Sequence, residues 1–231
     1  MQSARLRKFQ VWHKNSKEYL SLRREIFGEN IYYVDLENKS PLIIDVGAHI
    51  GLSVLYFKML FPKSRIMAIE PHPETVKILR KNVEMSRLEN VEIVEAAVGK
   101  ERGEKSFFVD KDNEWLSSSS FFRGAWSNTQ ENQEIRVDVV RLGDLIKTKV
   151  DLLKLDVEGA EEEVLLSLGN KLNMVEHILF EYHPQKNKTP EKIIGNLLNY
   201  GFRTRFYKRG REVDWRKARG LLLGEAVRKK K

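Results

Sequence analysis

Acidic and glycine residues in this chain recur where apolar runs stop. Leu42-Ile43-Ile44-Asp45-Val46 leads into Gly47-Ala48-His49-Ile50-Gly51, Arg65 to Glu70 leads into Pro71-His72-Pro73, and Val91 to Glu95 leads into Ala96-Ala97. A glycine after a buried strand lets the backbone turn tightly and approach a ligand, and a second one opens the next helix close to the sheet. Glu70 stands 25 residues beyond Asp45, about where a carboxylate can accept both hydroxyls of a ribose. Small residues at Ala96 and Ala97 leave room for an adenine ring. Glycine turn, acid and small residues follow in the order an adenosine ligand requires. A dinucleotide asks for G-x-G-x-x-G, and His49 occupies the place of the middle glycine, so the close approach of a pyrophosphate is not provided for. An adenosine ligand without phosphates is favoured.

A second set of groups follows later in the chain. Lys154-Leu155-Asp156-Val157-Glu158-Gly159-Ala160-Glu161 ends one apolar run, and Phe180-Glu181-Tyr182-His183-Pro184 ends another. Asp156 and Glu158, two residues apart where a strand breaks at a glycine, are poor choices for structure alone. Glu161 to Glu163 also read as acids favoured by a helix N-terminus. His183 at the same sheet edge can take a proton from a substrate hydroxyl, with Asp156 or Glu158 orienting it or holding the acceptor. The three could also hold a hard cation through oxygen and imidazole, but the reading assigns no metal site.

These residues need a frame that gathers strand ends. Strands are expected at 42–46, 65–70, 91–95, 106–109, 135–140, 151–156, 177–182 and 202–207, with helices at 50–60, 73–86, 161–168 and 191–200 between them. Such alternation predicts an α/β fold: an open, mostly parallel sheet with helices on both faces and its ligand beyond the carboxyl ends of the strands. Residues 3–27 carry apolar positions (Leu6, Phe9, Trp12, Tyr19, Leu22, Ile26) in a helical rhythm, which predicts an N-terminal helical extension over 1–40 outside a main domain over 41–231. Residues 110–133 read as a long polar loop with embedded aromatics, a length usually tied to function.

With 231 residues, 41% of them hydrophobic, the chain can bury a core without staples. The absence of cysteine excludes disulfides, thiolate zinc sites and a cysteine nucleophile. No apolar run approaches the roughly 20 residues a membrane span needs, and the basic start, Met1 to Lys8, precedes no signal-like apolar stretch; the expected location is cytoplasmic. The net charge of +8 is unevenly placed: residues 201–231 hold 12 Lys and Arg against 3 Asp and Glu, while residues 1–200 nearly balance. The stretch Arg203 to Lys231 is therefore either a solvated strand pair with a tail or an electrostatic footprint for RNA.

With these motifs assembled, the chain resembles the FkbM family of methyltransferases. The likeness spans about residues 40–185 and rests on Asp45 to Gly51, Glu70-Pro71-His72-Pro73, Lys154 to Glu161 and Glu181-Tyr182-His183. It implies a Rossmann-like class I methyltransferase fold with a mostly parallel seven-stranded sheet, S-adenosylmethionine as donor, and a hydroxylated small molecule or sugar as acceptor. Carried over residue by residue, Asp45, Gly47 and Gly51 would line the methionine and ribose, with Ala48, His49, Pro71 and Asp156 beside them. Glu70 would bind the ribose, and Ala96 or Ala97 would lie near the adenine. Ser118 and Ser119 fall where the family often has serines. His49 departs from the family's usual asparagine, though it too can donate or accept a hydrogen bond. Two other readings stay open: an RNA methyltransferase using Arg203 to Lys231, and a non-catalytic module that binds an adenosine ligand. A nicotinamide oxidoreductase is more distant.

Overall fold

The computed structural model describes residues 1–110, 132–184 and 189–229. The chain opens with a hairpin, β1 (Gln2–Leu6) and β2 (Phe9–His13), followed by α1 (Ser16–Arg23), which runs into a π-helical turn at Arg24–Gly28. Then come β3 (Leu42–Val46), α2 (Leu52–Leu60), β4 (Arg65–Glu70), α3 (Pro73–Met85), β5 (Val91–Glu95), β6 (Ala97–Val98), β7 (Gly103–Asp110), β8 (Asn132–Val140) and α4 (Leu142–Leu145). The remainder is β9 (Val150–Leu155), α5 (Glu161–Leu168), a 3-10 turn at Gly169–Met174, β10 (Val175–Tyr182), α6 (Glu191–Asn199), β11 (Phe202–Lys208), β12 (Arg211–Glu212) and β13 (Leu222–Arg228).

The main sheet has eight strands in the order β12-β11-β13-β10-β9-β3-β4-β5. The five strands from β10 to β5 are mutually parallel. β13 enters antiparallel between β10 and β11, and β12 turns back antiparallel on β11. The expected seven-stranded, mostly parallel sheet is therefore an eight-stranded mixed one. β6, β8 and β7 form a separate three-stranded sheet. Chain order reverses between β3, which leads outward to β4 and β5, and β9, which leads outward to β10. Crevices form at such a switch point, beyond the carboxyl ends of the strands.

Alternate strand residues face two cores. Ile43, Ile66, Ala68, Leu152 and Leu179 point to α2 and α3, where Val54, Leu55, Phe57, Ile78 and Leu79 bury against them. Ile44, Val46, Ile69, Leu153, Leu155, Ile178 and Phe180 point to α5 and α6, against Val164, Leu165, Leu168, Ile193 and Leu197. A strand buried on both faces reads as an unbroken apolar run, as β3 and β9 do. Gly224 of β13 makes room for this packing: a methyl there would lie 2.2 Å from Phe180 Cζ.

The N-terminal expectation needs correction. Residues 2–13 form a hairpin, in which Phe9, Val11 and His13 are buried while Gln10 is exposed and Trp12 half-buried at the core's edge. Leu6, Phe9 and Trp12 also satisfy an i, i+3 spacing, which hid the period of two. The segment is not peripheral, because Leu6, Phe9, Val11, Tyr19, Ile26, Phe27 and Tyr32 belong to the α2/α3-side core. Asn82 of α3 fastens it: the fully buried amide accepts from Trp12 N at 2.7 Å and donates to Trp12 O at 3.0 Å and Ile50 O at 2.7 Å. The loop expected at 110–133, with Ser118 and Ser119, lies almost wholly outside the described residues. No helix among the described residues is long and apolar enough to cross a membrane.

Candidate functional site

The turn after β3 is built around Gly47. Its φ is +75°, and a methyl on it would stand 1.9 Å from the carbonyl oxygen of Asp156. Only glycine allows the ends of β3 and β9 to come this close. Gly47 N and Ala48 N both donate to Ile69 O, at 2.9 and 3.1 Å, and Asp156 N donates to Val46 O at 3.1 Å. Three neighbouring strand ends are thus stitched together. Gly51, at φ +92°, opens α2 against Leu79, whose Cδ1 a methyl would meet at 2.6 Å.

Glu70 ends β4 and reaches across this turn. Its Oε2 accepts from His49 N and its Oε1 from His72 N, each at 3.0 Å. Burial raises its pKa, against the pull of His49 and those two N–H donors. Each carboxylate oxygen has a second lone pair, so the group can accept further hydrogen bonds. His49 has φ +49°, in the left-handed region where asparagine and histidine are among the better-tolerated side chains. Its ring stands 3.5 Å from Glu18 of α1. Burial alone lowers its pKa, but Glu18, then Glu70 and Asp156, outweigh that and raise it. What Glu70 uses at position 49 is the backbone N–H, so the departure from asparagine leaves this contact intact.

Val46, Gly47, His49, Ile69, Glu70, Pro71, Ala96, Ala97, Asp156 and Glu158 line one cleft, with Leu22 of α1 and Phe107 of β7 at its rim. The expected donor residues at four strand ends therefore converge. The free space is about 90 Å³, so a nucleoside would fit only with lining side chains displaced. Asp45, Ala48 and Gly51 do not line the cleft; they stand behind it. Asp45 is fully buried, accepting from Ser53 Oγ at 2.5 Å and pairing with Lys154 Nζ at 3.3 Å.

Lys154 stands in the second motif, where the sequence alone assigns it no role. It is 2% exposed, donates to Gly47 O at 2.7 Å, and lies 3.6 Å from Asp156 Oδ2. Burial opposes its charge, but Asp45, Asp156 and Glu181 outweigh burial and hold its pKa above the usual lysine value. A lysine inside an apolar parallel strand was the available signal. Tyr32, whose hydroxyl donates to Glu181 Oε1 and whose ring lies 5.2 Å from Lys154 Nζ, gave no signal. Glu181 is pushed up to about 7, by burial first and Asp156 second. It also lines a cavity of about 1370 Å³ between residues 24–33 and the β10-β13-β11 face.

The acceptor-side expectation also comes together. His183 Nε2 lies 3.1 Å from Glu158 Oε2, and Nδ1 lies 2.8 Å from Glu161 Oε1. Glu161 is 2% exposed and also accepts from Gly159 N at 2.9 Å. Burial lowers the His183 pKa, but the Glu161 hydrogen bond and the charges of Glu158 and Asp156 outweigh it and raise it well above the usual imidazole value. Glu158 is raised by burial and by Asp156, against His183. Glu158 reaches this position from a left-handed backbone, φ +52°, followed by Gly159 at +100°.

The basic C-terminal stretch is partly structural. Arg228 donates to Val175 O at 3.0 Å, to Tyr200 O at 2.7 Å and to Leu172 O, closing the ends of three elements. Arg205, Lys208, Arg209 and Arg211 are exposed near the β12 edge, where charges also discourage strand addition.

A model of the methyltransferase FkbM domain matches residues 45–204. Methyltransferase 1 of Beauveria bassiana (strain ARSEF 2860) is 29% identical over 178 residues, 69% of this chain and 72% of that protein. The 2-O-methyltransferase NoeI of Sinorhizobium fredii (strain NBRC 101917 / NGR234) is 28% identical over 211 residues, covering 84% and 83%. A precorrin-6y C5,15-methyltransferase structure from Geobacter metallireducens GS-15 shares the fold, with a TM-score of 0.52 at 14% identity over 94% of both chains. The matched region begins at Asp45 and takes in the Gly47 turn, Glu70, the Asp156–Glu158 strand end and His183, and on that match the chain belongs to the FkbM methyltransferase family.

Proposed function

We propose that this chain transfers a methyl group from S-adenosylmethionine to a hydroxyl oxygen of a small molecule or sugar. The observation that carries the reading is that Asp156 and Glu158 belong both to the Glu70 cleft and to the His183 cluster, so donor and acceptor groups meet at one strand end. Glu70 would accept the ribose hydroxyls, Ala96 and Ala97 would flank the adenine, and the Gly47 turn, backed by Lys154 and Asp45, would face the methionine portion. When bound, S-adenosylmethionine supplies an activated methyl group. The chain supplies alignment, exclusion of water and a place for the acceptor's proton. That place is the Glu158–His183 pair, with Glu161 fixing the imidazole and Asp156 facing the acceptor oxygen. The 2-O-methyltransferase named among the relatives supports oxygen as the accepting atom.

The test is label transfer from methyl-labelled donor to separate pools of hydroxylated small molecules, sugars and RNA. His183→Asn is expected to lower turnover at least about 100-fold with donor affinity little changed. Label entering RNA alone, in a salt-sensitive manner lost on deletion of Arg216 to Lys231, would replace this acceptor class with nucleic acid. Donor binding without transfer to any pool would favour a binding module.

A further inference from the structure

Carboxyl groups outnumber basic side chains in the cluster facing the cleft. Asp45, Asp156, Glu158, Glu161 and Glu181 crowd around Lys154 and His183, with His49 on the Glu70 side of Asp156. Buried charges are ordinarily paired or coordinate a metal. Lys154 sits on the Asp45 side, bonded to Gly47 O, which leaves the outer part of the cluster, at Asp156, Glu158 and His183, the more acidic. There one carboxylate oxygen of Asp156, one of Glu158 and a ring nitrogen of His183 lie within 4.8 Å of one another.

We infer that Asp156, Glu158 and His183 form a binding site for a divalent cation of the Mn²⁺ or Mg²⁺ class, beside the donor cleft. Three geometric facts support it besides the charge. The 3.1 Å between His183 Nε2 and Glu158 Oε2, now an ion pair, is close to the edge, about 3 Å, of an octahedron with metal–ligand bonds near 2.1 Å, so an ion could take the place of the proton between them. The other ring nitrogen, Nδ1, is held at 2.8 Å by Glu161, a carboxylate outside the trio. Carboxylates on the far nitrogen orient metal-binding histidines and fix which nitrogen faces the ion. Asp156 Oδ1 is buried and has no hydrogen-bond partner among the described residues. Two carboxylates and one imidazole suit a hard or borderline ion and leave positions for substrate oxygens. Such an ion would hold an acceptor hydroxyl at the end of the donor cleft and lower its proton affinity, so that its proton leaves to water and His183 serves as a ligand in place of a base. The inference shares its site with the proposed methyl transfer, but its test reads the ion alone.

The full chain, stripped with a chelator, is titrated with Mn²⁺ while electron paramagnetic resonance follows the free ion, and Mg²⁺ is then added as competitor. One Mn²⁺ per chain is expected, displaced by Mg²⁺. Affinity should fall at least about tenfold in both Glu158→Gln and His183→Gln, and stay unchanged in Glu163→Gln, an exposed acid on the neighbouring helix. Thermal midpoints confirm which variants fold, and either substitution suffices if the other does not. No binding at millimolar Mn²⁺, or binding indifferent to the substitutions, overturns the site. Donor affinity measured in parallel keeps the two ideas apart: a chain that binds S-adenosylmethionine but no Mn²⁺ sinks only the cation, and the reverse sinks only the donor.

Discussion

Replacing Gly47 with alanine probes the contact on which the site rests. At φ +75° an L-residue costs about 1–2 kcal/mol more than glycine. The added methyl would lie 1.9 Å from Asp156 O, against an ordinary contact distance of about 3.5 Å. The obstacle is backbone, and Asp156 N is itself tied to Val46 O, so relief means prising β3 from β9. Crowding of this kind adds about 1–3 kcal/mol, for a total of about 2–5 kcal/mol. In a domain of this size that lowers the melting midpoint by about 5–15 °C, and opening the β3–β9 seam should weaken donor binding as well. Calorimetric melting checks the first effect and donor titration the second. Gly195, inside α6 with open space around it, supplies the opposite sign: Gly195→Ala should gain up to about 1 kcal/mol. If Gly47→Ala melts with the parent and binds donor equally, the close approach of the two strands is not what shapes this site.

Three further substitutions test the frame. Gly224→Ala forces a methyl to within 2.2 Å of the Phe180 ring and should cost about 1–3 kcal/mol by urea titration. Asn82→Leu leaves Trp12 N, Trp12 O and Ile50 O without their partner; a loss of about 3 kcal/mol or more is expected, and limited proteolysis should then release the N-terminal hairpin first. Burial, with His49 second, lowers the His72 pKa to about 4. Between pH 6.5 and 4 the unfolded chain therefore binds more protons at this residue than the folded one. Its contribution to stability is present above pH 6.5 and drains away on acidification through that window, by about 1–2 kcal/mol at pH 5. His72→Asn keeps an acceptor for Glu74 N, which His72 Nδ1 now receives at 3.2 Å, and should flatten that part of the pH dependence.

The parallel half of the sheet was legible because each strand is an apolar run with a turn signal after it, and the helices between them have clean spacing. The lining of the Glu70 cleft was legible for the same reason: its residues stand at strand ends, where chain order alone locates them. The antiparallel edge was not. β13 begins at Leu222 with alternation that the surrounding basic residues mask, and nothing local places it between β10 and β11. Leu6, Phe9 and Trp12 fit two periods at once, and the choice between them is made by tertiary packing. In the site, Asp156, Glu158 and His183 could be singled out, but their supports could not. Glu18, Tyr32 and Asn82 act across 31, 149 and 70 residues of chain, on His49, Glu181 and Trp12 respectively, and such pairings leave no mark in local sequence.

The most direct test of the account is a calorimetric titration of the purified chain with S-adenosylmethionine, S-adenosylhomocysteine and NAD, alongside a Glu70→Ala variant confirmed to be folded. The account predicts that the first two bind, that NAD does not, and that the variant loses at least about tenfold in affinity, consistent with removing charge-assisted hydrogen bonds. Binding of NAD alone, or donor binding indifferent to Glu70, would contradict it.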